Sequence, residues 1–371
     1  MDPDSERFLD GVGALGPPLL RSLDALEKAA RHLHPPLLQG LRRTLAPLAP
    51  ALEAARSEFE SRPAPEDLAS FAARLGEAAR LTRESLDLFL DARPGPEATA
   101  RVLGALRRHC RAQAALYPLR TALPPVARYF LEPEVQERAD SFDPDPPLAP
   151  RVGIHDAHNA PEQRGGFTLY VPEWIDGTTP RPLVVALHGG SGHGAEFLWT
   201  WLREARSRGF LLLAPTSRGA TWSLHGADHD AGPLDAMIEF VAQRWPVDRG
   251  RVLLTGLSDG ATYSLLYGLR DSAPCTAIAP VSGVLHPANF ASGNMRRARG
   301  RRVYLVHGRL DWLFPVGLAR AAAEELQRAG ADLVYREIED LSHTYPREAN
   351  SGILRWFDPA LDLAARGEPR L

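Results

Sequence analysis

The chain has 371 residues, enough for two domains, and its 44% hydrophobic and 24% charged content is that of a globular protein with a sizeable core. With 43 basic against 46 acidic residues the net charge is −3, which leaves no basic field to attract nucleic acid or an anionic membrane. No apolar run approaches the roughly 18 residues of a membrane span, and Cys110 and Cys275 stand too far apart for a zinc ribbon or a disulfide framework.

The chain begins MDPDSERFLD, without the basic start and apolar run of a secretory signal, so a cytoplasmic protein is the default expectation. Up to about residue 140 it is rich in Leu, Ala, Arg and Glu and has helical periodicity. Segments around Leu19–His34 and Pro36–Phe59 read as helices, the second kinked or split at Pro47 and Pro50. Leu68, Phe71, Leu75 and Ala78 lie on one helical face, and so do Ala98, Val102, Leu106 and Cys110 in a helix begun by Pro96. With breaks near Pro35, Pro63–Pro65, Pro94–Pro96 and Pro118, this is a bundle of four or five helices. The stretch Asp140–Pro150, with four prolines and three aspartates, is the best candidate linker. The expected organisation is therefore a helical accessory domain over 1–139, a linker over 140–150 and a catalytic domain over 151–371.

After the linker, short apolar runs alternate with helical segments. Strands are expected at Gly166–Val171, Pro182–Leu187, Phe210–Ala214, Arg251–Thr255, Thr276–Val281, Val303–Val306 and Asp332–Glu337. Helices are expected at Ala195–Arg206, Pro233–Arg244, Ala261–Arg270 and Val316–Ala329. Strands apolar throughout and separated by helices imply an α/β fold, a doubly wound, mostly parallel sheet covered on both faces. Functional residues then belong in loops at the carboxyl ends of the strands.

The strongest motif is Gly256-Leu257-Ser258-Asp259-Gly260. It follows the apolar Val252-Leu253-Leu254 and precedes a helical segment, the strand–turn–helix context of a nucleophile elbow. Upstream, the strand ending at Leu187 runs into the loop His188-Gly189-Gly190-Ser191-Gly192-His193-Gly194. Acyl transfer places negative charge on a former carbonyl oxygen, and a loop without side chains lets backbone N–H groups approach it. Asp259 N–H and Gly190 N–H are the expected oxyanion donors, with Ser191 the alternative to Gly190. A phosphate-binding loop would need G-x-G-x-x-G spacing or a nearby lysine, and Lys28 is the sole lysine of the chain. His188 reads as a brace for its loop. Downstream, Asp311 follows the strand Val303–Val306 and His343 follows the strand Asp332–Glu337. Ser258, Asp311 and His343 thus stand in the nucleophile–acid–base order, with His343 as proton carrier and Asp311 as its orienting carboxylate.

On the segments LHGGSGHG, GLSDGA, HGRLDWLFP and LSHTYP, residues from about 150 to 360 resemble an α/β-hydrolase. The resemblance is particularly to its carboxylesterase/lysophospholipase and polyhydroxyalkanoate-depolymerase-like esterase branches; the usual small carboxylesterase oxyanion loop reads closer to HGxGDxG, whereas this one is HGGSGHG. The resemblance implies a serine esterase that needs no cofactor and acts on a small-molecule ester. Trp222, Trp312 and Phe314, with Ser191 and Phe197, are candidates to line its substrate pocket or simply to fill the core. The cluster His225, Asp228, His229 and Asp230 lacks the spacing of a di-zinc site, so no metal is expected. Lids in this fold are usually inserted after the sixth strand, where only Gly283–Gly300 is available, so any built-in cap is small. The resemblance does not extend to residues 1–140; a lid, a docking module or a homo-oligomer interface are the roles open to the amino-terminal helices. A thioesterase or peptidase would use the same triad, and a binding scaffold with a helical docking domain is the non-catalytic alternative.

Overall fold

The computed structural model describes residues 3–92, 95 and 97–363, and the chain divides into two units, Met1–Phe130 and Leu131–Leu371. Pro94 and Pro96, placed by sequence at a break and a first helical turn, lie outside the described residues.

The first unit is all helical: α1 (Pro3–Arg31), α2 (Leu38–Leu45), α3 (Leu48–Glu60), α4 (Ala69–Leu90), α5 (Ala98–Leu116) and α6 (Pro124–Tyr129). Helix α1 starts well before the expected Leu19 and continues through Pro17 and Pro18. Those prolines remove the amide partners of the Gly13 and Ala14 carbonyls. Both residues are exposed, so water can take the carbonyls, while Phe8, Leu15, Leu19, Leu23 and Leu26 are fully buried along one stripe. The break expected at Pro47 falls between α2 and α3. Pro50 costs α3 nothing, because first-turn N–H groups have no acceptor within the helix. Ser85 Oγ on α4 donates to the Ala105 carbonyl of α5 at 2.7 Å, in a seam of buried alanines at 78, 79, 105 and 112.

The second unit is built on eight strands: β1 (Gly153–Ala157), β2 (Phe167–Val171), β3 (Arg181–Leu187), β4 (Leu211–Pro215), β5 (Val247–Leu257), β6 (Ala277–Val281), β7 (Arg302–Gly308) and β8 (Asp332–Ile338). Their order in the sheet is β1-β2-β4-β3-β5-β6-β7-β8. The β1–β2 and β2–β4 pairs are antiparallel, and the rest are parallel. Residues of β2, β4 and β6 are buried throughout, as a sheet covered on both faces requires. Sequence patterning misses β1, whose residues GIHDA include two polar side chains and are only half-buried at the sheet edge.

Among the described residues, eight α-helices complete this unit: α7 (Gly194–Phe197), α8 (Leu202–Arg208), α9 (Ala231–Arg244), α10 (Asp259–Gly268), α11 (Ala288–Ala291), α12 (Asn294–Arg297), α13 (Val316–Arg328) and α14 (Asn350–Phe357). The single helix expected over Ala195–Arg206 is two, separated by a 3₁₀ turn at Leu198–Thr200. The connection from β6 to β7 holds only the one-turn helices α11 and α12.

The division at Phe130/Leu131 falls ahead of the Pro/Asp-rich stretch 140–150 that sequence suggests as the linker. That stretch belongs to the second unit. Asp143 pairs at 2.5 Å with the guanidinium of Arg206, a wholly buried cation that also lies 3.3 Å from Glu173. Phe142 packs edge-on against Trp174. A buried arginine without its carboxylates would leave a bare charge in the interior, which holds the stretch down.

Candidate active site

In the sheet, β4 lies on one side of β3 and β5 on the other, so the direction of winding reverses there. A crevice opens at the carboxyl ends of strands at such a point. The loops after β3, β5, β7 and β8 carry the residues expected to act in catalysis.

Ser258 sits between β5 and α10 with φ +57° and ψ −118°, a strained conformation held by its N–H bond to the Val281 carbonyl at 3.0 Å. The tight turn requires its glycines. A Cβ on Gly260 would stand 2.4 Å from the His188 and Leu187 carbonyl oxygens, and one on Gly256 would stand 2.6 Å from the Gly260 backbone.

The three residues expected to act together are together. Ser258 Oγ lies 2.9 Å from His343 Nε2, and His343 Nδ1 lies 2.8 Å from Asp311 Oδ2. The other oxygen of Asp311 accepts the N–H groups of Leu313 and Phe314 at 3.0 and 2.8 Å. Burial opposes ionisation of Asp311, but the bonds from His343 and Phe314 outweigh it and hold its carboxyl below the usual range. The carboxylate is therefore ionised beside the imidazole, which keeps a proton on Nδ1 and leaves Nε2 a lone pair facing the serine hydroxyl.

His188 braces two loops, as its sequence context suggests. Its Nε2 accepts the Ser217 N–H at 3.1 Å and its Nδ1 bonds the Gly189 carbonyl at 2.6 Å. Burial drives its pKa down to about 3, so the ring is neutral at physiological pH. Between the candidate oxyanion donors the hydrogen bonds discriminate. Ser191 N–H is spent on the Ala220 carbonyl at 2.9 Å. Gly190 and Asp259 N–H donate to no protein acceptor among the described residues, and a Cβ on Gly190 would lie 2.7 Å from Asp259 Oδ2.

The expected pocket residues scatter. Trp222 is 3% exposed, donates its indole N–H to the His188 carbonyl at 2.8 Å and stacks on Tyr263, so it is a post beneath the loops and not a pocket wall. Phe197 is likewise buried, edge-on to Tyr345. Trp312 is exposed, and so is Ser191. Phe314 alone lies against the triad, its ring perpendicular to that of His343 with 5.2 Å between centroids. The acids of the His225–Asp230 segment have structural duties. Asp228 accepts the Tyr263 hydroxyl and the N–H groups of Asp230 and Ala231, and Asp230 accepts from Arg218 and Ser223.

Three supporting residues escape sequence reasoning. His307, wholly buried, donates Nε2–H to the Phe314 carbonyl at 2.7 Å and stands 3.4 Å from Asp311 Oδ2. Arg164 ties the β3 and β4 loops by bonds to Gly192 O, Ser217 O and Oγ, and Gly219 O. Thr221 donates to the Asp259 carboxylate at 2.6 Å. Only His307 carries a usable signal, as a polar residue at the end of an apolar strand four positions before Asp311.

Sheet order and elbow together are those of the α/β-hydrolase fold. Residues 227–354 match the family model described as phospholipase/carboxylesterase, and the second unit has the α/β-hydrolase fold. No curated protein matches the sequence. Similar solved structures include esterase PE8, 23% identical over 48% of this chain and 94% of that one, with a TM-score of 0.40. Acyl-protein thioesterase 2 of Zea mays is 16% identical over 53% and 98%, with a TM-score of 0.39. The Staphylococcus aureus fluorophosphonate-binding serine hydrolase FphF is 15% identical over 56% and 97%, with a TM-score of 0.45. Among the described residues, no helix is long and apolar enough to cross a membrane.

Proposed function

We propose that the protein hydrolyses carboxylic esters through an acyl-enzyme on Ser258. The observation that carries this is the hydrogen-bonded chain from Ser258 Oγ through His343 to Asp311, 2.9 and 2.8 Å long, at the carboxyl edge of the sheet. His343 Nε2 takes the serine proton as Oγ attacks the ester carbonyl. The oxyanion that forms is met by Gly190 and Asp259 N–H. His343 then returns the proton to the departing alkoxide, and water repeats the sequence to release the acid. Asp311 stabilises the imidazolium at each stage without itself taking the proton. The match of residues 227–354 to a phospholipase/carboxylesterase model supports an ester as the substrate.

Hydrolysis of a p-nitrophenyl ester series, acetate to palmitate, tests this, together with labelling by a fluorophosphonate. Turnover blocked by label on Ser258 is the expected result, and its chain-length profile sizes the acyl site. Ser258→Ala should lose roughly six orders of magnitude in kcat with the fold intact. Ester turnover retained by that variant would overturn the assignment.

A further inference from the structure

The residue after the nucleophile brings a charge as well as an amide. Asp259 is only half-buried, and its side chain lies in the wall formed with the β3 and β4 loops. Oδ2 accepts the Thr221 hydroxyl at 2.6 Å and would sit 2.7 Å from a Cβ placed on Gly190. Among the described residues Oδ1 accepts no hydrogen bond, and the carboxylate forms no ion pair. The guanidinium that braces these loops, Arg164, directs its bonds to the carbonyls of Gly192, Ser217 and Gly219 and to Ser217 Oγ. Asp311, by contrast, has both oxygens engaged.

An uncompensated carboxylate beside an oxyanion site opposes the charge that acyl transfer creates there, because like charges repel strongly where water is partly excluded. A cation supplied by the substrate removes that opposition. Resting on the hydrolase function proposed above, we infer that Asp259 makes the site selective for esters with a cationic group close to the scissile carboxyl and selective against anionic ones. Thr221 holds one oxygen in place, and the other is left for the substrate's ammonium.

The test compares kcat/KM for a choline ester with that for the 3,3-dimethylbutyl ester of the same acid, which replaces the ammonium nitrogen by carbon. The native chain should prefer the choline ester by roughly tenfold, the size of a partly screened charge pair. Asp259→Asn keeps an acceptor for Thr221 and should lower that preference at least several-fold, while hemisuccinate esters gain relative to neutral ones. Thr221→Val keeps the charge and should keep the sign of the preference. Should Asp259→Asn not fold, the native preference must still shrink when ionic strength is raised roughly tenfold. Equal ratios in the native and Asp259→Asn proteins, or a native preference that salt does not change, overturn the inference while labelling of Ser258 leaves the hydrolase function standing. Absence of both labelling and ester turnover overturns the two together.

Discussion

His307 and Asp311 lie side by side with their side chains wholly buried, His307 Nε2 3.4 Å from Asp311 Oδ2 and 2.7 Å from the Phe314 carbonyl that it bonds. Phe314 returns its own N–H to Asp311 Oδ1, so the loop that presents the triad carboxylate is closed on itself by a histidine from β7. Removing the imidazole in His307→Ala leaves a buried carbonyl unpaired, at a cost of about 1–3 kcal/mol. The expected outcome is a lower melting temperature and a lower kcat, with KM little changed. Thermal unfolding monitored beside steady-state kinetics separates the two effects. A variant as stable and as fast as the native chain would remove His307 from the supporting structure.

Asp311→Asn tests the carboxylate itself. An amide can occupy the same space, but its NH2 group facing His343 Nδ1 favours the wrong tautomer. The bond now made to Asp311 Oδ2 at 2.8 Å would be lost or reversed. A fall in kcat of roughly four orders of magnitude is expected, with circular dichroism unchanged.

Gly260→Ala should fail as a folded protein. Its new Cβ would meet two backbone oxygens at 2.4 Å, those of Leu187 and His188, and neither can rotate away as a side chain could. Loss of soluble protein, or destabilisation of about 3 kcal/mol or more, is the expected result by chemical denaturation.

Two buried groups predict opposite dependences of stability on pH. Burial, with the negative charge of Glu204 nearby, lifts Glu132 to about 7. The folded state therefore holds this proton more tightly than the unfolded chain, and stability falls as pH rises from about 4.5 to 7. Glu132→Gln mimics the protonated form, so it should gain on the native protein over that interval, by on the order of 2 kcal/mol. His188 behaves in reverse. Burial lowers it to about 3, so the unfolded chain binds the proton more readily and stability is lost as pH falls below the ordinary histidine value of about 6.5. Melting temperatures measured from pH 4 to 8 for the native protein and for Glu132→Gln check the two slopes.

Much of the second unit was legible because its signals are local. The apolar runs of β2 to β8 stand out because a sheet covered on both faces buries successive residues. The elbow glycines mark a turn that no other residue can enter. Ser258, Asp311 and His343 could be picked out because each follows a recognisable strand, and they are drawn together past the carboxyl ends of β5, β7 and β8 in the sheet.

Whatever depended on residues distant in sequence was decided by tertiary structure. Edge strand β1 lacks a buried face of its own and exists through its pairing with β2. Helix α1 runs through two prolines because its leucine stripe is buried, and the Pro/Asp-rich stretch is held by Asp143 on a buried Arg206. An aromatic in a loop could equally be pocket wall or core, and only packing made Trp222 a post and left Trp312 exposed. The Thr221 bond that orients the Asp259 carboxylate joins residues on different loops. Motif and periodicity report what a residue's neighbours in sequence allow, whereas burial and hydrogen-bond partners are set by elements folded together from far along the chain.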